Sequence, residues 1–177
     1  MSRHGEDSLI IGRFQPLHKG HMDVIRKVAS ESRKTTIGIG SAQYSHTEQN
    51  PFTAGERYRM IAETLVEEGF TDFYVVPVED INRYSLWVAQ VVSICPHFTM
   101  VYSNNPYTRR LFAEAGYEVR DSPLYNREIY SGTEVRRRIL EGEDWESLVP
   151  PAVARVIGEI DGVGRIRELV GEPVNGP

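Results

Sequence analysis

Five short, largely apolar runs are spaced along the chain, and between them lie segments whose apolar positions recur at helical spacing. Leu9–Ile11, Thr35–Ile39, Phe73–Val78, Phe98–Tyr102 and Tyr117–Val119 are predicted strands. Several are continuously apolar rather than alternating, as expected of a parallel sheet covered on both faces. His21–Ser30, Ala54–Glu67, Leu86–Ile94 and Pro106–Ala115 are predicted helices. The second opens on Thr53-Ala54-Gly55-Glu56, a capping box, and carries an apolar stripe Tyr58, Ile61, Ala62, Leu65. The fourth stops at Gly116, where a left-handed residue ends many helices. A further helix follows Tyr130-Ser131-Gly132-Thr133, and two more fill Pro151–Ile160 and Gly162–Val170.

Strand and helix in strict alternation predict an α/β fold, a doubly wound parallel sheet with right-handed crossovers. No repeat, linker or low-complexity stretch interrupts residues 1–177. A single domain is expected, with an α/β core over 8–140 and a helical C-terminal portion over 141–177.

Ligands of open α/β sheets sit beyond the carboxyl ends of the strands. The segment Gly12-Arg13-Phe14-Gln15-Pro16-Leu17-His18-Lys19-Gly20-His21 lies there, after the first strand and before the first helix. A helix N-terminus favours anions through its free N–H groups and its dipole. His18 and His21, with Arg13 and Lys19 beside them, add donors at a solvent-facing turn. Gly20 is expected to let the backbone approach phosphate closely. A zinc pair is the rival reading, but His4, His46 and His97 offer no third ligand at helpful spacing.

Composition narrows the field. The chain is 40% hydrophobic and 10% aromatic, enough for a full core, and its net charge is −5. No region has the basic excess of a polynucleotide reader, although Arg136-Arg137-Arg138 can bind a small polyanion. The lone Cys95 excludes an intramolecular disulfide and a cysteine zinc site, and it is expected to be a small buried hydrophobe. Met1–Ser8 is polar, and no segment has the length of a signal peptide core or a membrane span. A cytoplasmic protein with no membrane or nucleic-acid partner is expected.

His18-Lys19-Gly20-His21 resembles the HxGH signature of the nucleotidyltransferase superfamily, and Tyr130-Ser131-Gly132-Thr133-Glu134-Val135-Arg136 resembles its second signature, ISGTxVR. Each falls at a predicted helix start. Gly12–Pro16, Gly40-Ser41-Ala42-Gln43, Asn50–Arg57, Leu86-Trp87-Val88 and Tyr102-Ser103-Asn104-Asn105-Pro106 extend the likeness to the archaeal nicotinamide mononucleotide (NMN) adenylyltransferases, over roughly Leu9 to Leu169. The resemblance implies a Rossmann-like nucleotidyltransferase fold, synthesis of NAD from ATP and NMN with magnesium, and a homo-oligomer, commonly a hexamer.

The resemblance also assigns roles. His18, His21 and Arg136 would be catalytic. Gly12, Arg13, Phe14, Gln15, Gly20, Tyr130, Ser131 and Thr133 would join them around ATP, and Arg13, Ser41, Ile81 and Trp87 around NMN. Ser131 or Thr133 can cap the helix that carries Arg136, and Arg136 is placed on its first turn. Arg137 and Arg138 are read as surface charges. No protein metal ligand is assigned; magnesium would be held through substrate phosphates, and Glu79-Asp80 are given structural roles. Tyr84 stands where the family often has asparagine, and Gln49 where some relatives have arginine. Rival readings are an adenylyltransferase with another acceptor, such as phosphopantetheine or a flavin precursor, and a nucleotide sensor without activity.

Overall fold

The computed structural model describes residues 5–122 and 126–170. Five strands pair in parallel: β1 (Ser8–Gly12), β2 (Thr35–Ile39), β3 (Phe73–Pro77), β4 (Met100–Tyr102) and β5 (Glu118–Arg120). Their order is β3-β2-β1-β4-β5. The chain therefore starts at the centre, winds outward to β3, and returns to the other side of β1. The direction of winding reverses between β1 and β4, where Leu9 lies opposite Thr36 on one side and Val101 on the other.

Crossover helices cover both faces, which explains the continuous apolar runs. Successive β1 side chains serve opposite cores. Ile10 joins Met22, Ile25 and Val28 of α1 (Lys19–Glu31) and Met60, Ile61 and Leu65 of α2 (Ala54–Glu67). Leu9 faces the other way, toward Val91 of α3 (Tyr84–Ile94) and Phe112 of α4 (Pro106–Glu114). Burying each such side chain fully contributes about 1.5–3 kcal/mol. Beyond β5 come α5 (Gly132–Glu141), α6 (Pro151–Glu159) and α7 (Gly162–Leu169). α6 packs on α2, and α7 packs on α5 and α6.

Local signals explain the ends of these elements. Thr53 Oγ1 accepts from the Glu56 N–H at 3.1 Å while Glu56 returns a carboxylate to the Thr53 N–H at 2.9 Å, the predicted capping box. The same carboxylate takes both terminal nitrogens of Arg165, at 2.7 and 2.9 Å, and so ties α7 to α2. Gly116 adopts φ +88° after α4. Asn105 caps that helix through the Tyr107 and Thr108 N–H groups.

Four expectations need correction. α1 starts two residues earlier than predicted, at Lys19, because His18 itself supplies the cap. Pairing in β4 begins at Met100; Phe98 is instead an aromatic plug between Phe112 and Tyr117. The predicted stripe of α2 is turned by about one position. Tyr58 is 45% exposed, and the buried side is Arg57, Met60, Ile61, Thr64 and Leu65, because α6 covers the flank that the sheet leaves open. Cys95 is only half-buried at the end of α3, and burial pushes its thiol up to about 11.

Candidate active site

Three loops leave the carboxyl ends of β1, β2 and β3, and each contains a non-glycine residue in the left-handed region: Phe14 at φ 50°, Ser41 at φ 49° and Asn82 at φ 53°. Such a conformation costs on the order of 1 kcal/mol or more and persists only where its surroundings hold it. The Phe14 ring explains the first case. It packs under Gly12, where an added Cβ would come within 3.1 Å of it, and against the His21 ring at 4.7 Å between centroids. Phe14 is thus a buried support for the cleft floor.

His18 and His21 cap α1 reciprocally. The His21 N–H donates to His18 Nδ1 at 3.2 Å and the His18 N–H donates to His21 Nδ1 at 3.3 Å. The rings stack with centroids 3.6 Å apart. With Nδ1 an acceptor in both, each neutral imidazole carries its proton on Nε2, leaving two parallel N–H donors for a ligand. The turn is not solvent-facing as predicted: His18 is only 7% exposed. Desolvation holds its pKa down at about 4, and His21 lies well below the ordinary imidazole value through desolvation and then the neighbouring His18.

These residues line a cleft of about 490 Å³ between the carboxyl ends of β1 and β4, closed on its far side by the start of α5. It brings together Gly12, Arg13, Phe14, Gln15, His18, Gly20, His21, Tyr130, Ser131, Thr133 and Arg136. Lys19 is exposed outside it. Gln15 lines the cleft with its amide already committed, bonded twice to the Phe52 backbone at 2.9 and 3.0 Å. The space beside Gly20 is taken by protein: a Cβ there would sit 2.9 Å from Tyr130 Cβ. Its first duty is to let the second signature pack on the first.

Ser131, not Thr133, caps α5, accepting from the Glu134 N–H at 3.1 Å. Arg136 is the fifth residue of that helix rather than a first-turn residue. Its side chain runs back toward the N-terminus, as long helical side chains do, crosses Gly132, and donates to the Gln15 carbonyl at 2.7 Å. Burial, then Arg13, lowers its pKa.

Most described surface arginines outside this cleft are neutralised by acids, Arg83 and Arg167 being exceptions. Arg26, Arg33, Arg59, Arg109, Arg110, Arg120, Arg137, Arg138, Arg155 and Arg165 all pair with carboxylates. Among the described residues, Arg13, Arg127 and Arg136, which line the cleft, have no such pair, and no Asp or Glu lines it. A second cleft of about 240 Å³ shares Asn105 with the first and contains Trp87, Arg83 and Asp80. Half-buried Trp87 meets Phe112 edge-on, at 5.7 Å. Ser41 and Ile81 line neither cleft, but Ser41 Oγ donates to the Asp80 carboxylate at 2.6 Å, beside the second.

Sequence reasoning missed Arg127 and the Asn104 side chain. Asn104 lines the larger cleft and bonds the Ser122 backbone in both directions. Only the loop resemblance flagged Asn104, and nothing flagged Arg127. Among the described residues no group of three or more His, Cys, Asp or Glu stands together as a metal site, and no helix is long and apolar enough to cross a membrane. His4 lies outside the described residues.

A cation-lined cleft at the switch point of a parallel sheet, entered by a helix start on each side, is an anion- and nucleotide-binding arrangement of a Rossmann-like fold. The chain belongs to the cytidylyltransferase-like family, whose model matches residues 9–138. Within it, the chain's archaeal relatives are named nicotinamide-nucleotide adenylyltransferase. One from Thermoplasma acidophilum is 52% identical over 95% of this chain and 94% of its own. Those from Picrophilus torridus and Halobacterium salinarum are 54% and 53% identical, over 92% and 94% of this chain and 96% and 93% of theirs. Among solved structures, a bifunctional NMN adenylyltransferase/ADP ribose pyrophosphatase from Francisella tularensis, complexed with AMP and a manganese ion, superposes with a TM-score of 0.77 at 23% identity. It covers 95% of this chain, which spans about half (52%) of that longer protein.

The histidine pair has a pH signature. Folding favours both rings neutral, so their contribution is fully present above pH 6.5. It is lost as acid first protonates the unfolded chain's imidazoles, down to about 4 for His18. We expect the melting temperature to fall as pH drops from 6.5 to about 5, and to fall less steeply in His18→Asn, which keeps a capping acceptor. Identical slopes for the two proteins would show that His18 carries no depressed titration.

Proposed function

We propose that this protein transfers the adenylyl group of ATP to nicotinamide mononucleotide, giving NAD and pyrophosphate. The observation that carries the reading is the larger cleft itself. In a chain with 25 acidic residues against 20 basic, it is lined by two Nε2–H imidazoles and by three arginines that, among the described residues, have no carboxylate partner, and no described acid lines it. Such a surface fits two polyanions brought face to face.

The reaction is a direct displacement. A 5′-phosphate oxygen of NMN attacks the α-phosphorus of ATP, the P–O bond to the β-phosphate breaks, and pyrophosphate leaves with the electron pair. No protein nucleophile takes part: Cys95 lines neither cleft and its thiol stays protonated at neutral pH. His18 and His21 donate to the phosphate oxygens that gain charge, Arg136 spans the triphosphate from the α5 side, and Arg13 orients the incoming phosphate. Donors fixed before the substrates arrive need no rearrangement as charge develops, which is the largest contribution such a site can make. Gly12, Phe14, Gln15, Gly20, Tyr130, Ser131 and Thr133 shape the ATP side; Ser41, Ile81 and Trp87 serve the NMN side. Magnesium would be held through the substrate phosphates and would supply charge neutralisation there, since no carboxylate lines the cleft among the described residues.

The same reading carries a homo-oligomer, commonly a hexamer in the resembled family, and a cytoplasmic setting. Support for assembly lies in α3, an uncharged helix that leaves Leu86, Val92 and Ile94 exposed.

Purified protein with ATP, magnesium and NMN should yield NAD and pyrophosphate, measured chromatographically beside a panel of other acceptors. No NAD, with another acceptor adenylylated, would move the protein to a different member of the superfamily; no product from any acceptor would leave a nucleotide sensor.

Trp87→Ala should weaken NMN and NAD binding by about 1–3 kcal/mol, the worth of stacking a base on an aromatic ring, and leave ATP binding nearly unchanged. Equal losses for ATP and NMN would reduce Trp87 to core packing.

Arg136→Ala should lower kcat by roughly 10²–10³, and Arg136→Lys should retain part of the activity, since lysine offers one compact charge in place of a planar fork. Arg137→Ala should resemble the parent, because Arg137 is spent on Glu134, Glu141 and Glu143 at the outer surface. Steady-state kinetics with ATP varied, beside a thermal melt, separates these outcomes; matching losses at both positions would reduce the cradle to general charge.

A further inference from the structure

Arg57 is the largest completely buried side chain among the described residues. It sits in the first turn of α2, where the helix dipole disfavours a cation, and it has no ion pair among the described residues; neighbouring Glu56 is committed to Arg165. A buried charge without an ion pair survives only if other groups solvate it. Here backbone carbonyls do so. Nη1 donates to the Arg13 and Gly40 carbonyls, both at 2.9 Å. Nη2 reaches those of Ser41, Ala42 and Tyr44 at 3.2, 3.4 and 3.3 Å, and Nε holds that of Thr53 at 3.2 Å.

These carbonyls belong to the loops after β1 and β2. The fork thus fixes the spacing between Arg13 and the Gly40–Tyr44 turn, and it bends that turn at Ser41, whose left-handed φ of 49° no glycine relieves. The far side of the turn is pinned by Gln43, which exchanges two hydrogen bonds with the Asp80 backbone at 2.7 and 3.0 Å. Carbonyl dipoles solvate the guanidinium without a direct ion pair, and its charge is felt by Arg13, with Glu56 offsetting part of it.

The geometry points to Arg57 as a positioning residue for the acceptor nucleotide: it sets the spacing between the Arg13 loop, which lines the larger cleft, and the Gly40–Tyr44 turn, whose Ser41 the proposed function gives to NMN. This role rests on the adenylyl-transfer reading, in which those loops serve NMN and the α5 side serves the triphosphate.

The test is Arg57→Lys, alone and combined with Ser41→Gly, with binding of NMN and of ATP measured separately by calorimetry, kinetics with each substrate varied, and a melt. Lysine keeps the charge but cannot span five carbonyls on two loops. A loop displaced by about 1 Å is expected to lower kcat/KM for NMN by about 10²-fold while the ATP dissociation constant barely moves. Ser41→Gly removes a hydroxyl and weakens NMN binding by itself. In the Arg57→Lys background it should instead recover part of the loss, since glycine adopts the left-handed turn without strain. Should Arg57→Lys melt below the assay temperature, Gln43→Ala frees the exposed anchor of the same turn and should give the same NMN-selective loss. Losses shared equally by ATP and NMN, absence of rescue by Ser41→Gly, or unchanged NMN binding in Gln43→Ala would each overturn the role. A parent protein that binds ATP but no NMN overturns the functional reading, and this role with it.

Discussion

Guanidinium groups crowd the carboxyl ends of β1 and β2, and the protein holds them with peptide carbonyls instead of acids. Arg136 is moored by the Gln15 carbonyl and Arg57 by carbonyls of the two neighbouring loops. A carboxylate would moor each more firmly but would cancel the field that an anionic ligand needs. Carbonyl dipoles fix position and leave net charge, so the cleft stays cationic inside an acidic molecule. The left-handed turn at Ser41 and the glycine at 132 follow from this arrangement, because there the backbone must come close to the guanidinium that it holds.

The histidines obey the same logic from the opposite direction. Their capping bonds and their burial keep them uncharged, so they offer directed N–H groups and leave long-range attraction to the arginines. A protonated ring would have to surrender its backbone partner. Helix capping and ligand recognition thus use opposite edges of the same imidazoles.

Much of the fold was legible in the chain because its signals are local. The five apolar runs mark the strands to within a residue or two, and Thr53, Asn105 and Gly116 mark helix ends through bonds made within a few residues. Reading failed where a distant element decides. α6, far along the chain, packs on α2, and the loops after β1 and β2 close over Arg57, so the buried side shifts away from Tyr58; the burial of His18 depends on tertiary packing too. The site was legible in its two signatures, since both are written at helix starts. The inward turn of Gln15, the return of the Arg136 side chain and the presence of Arg127 were not, because each is settled by contacts between segments remote in sequence.

The contact between Gly20 and Tyr130, with Gly132 passing close over the Gln15 carbonyl, makes the two signatures a single mechanical joint. Neither half has slack. A methyl group at Gly20 would push on the backbone that aims Arg136, and one at Gly132 would push on the segment that leads into the histidines. Drift in one half must therefore be answered in the other. Chains of this kind should change at these positions in matched pairs, so the spacing of the two signatures in space is inherited more strictly than their spacing along the chain.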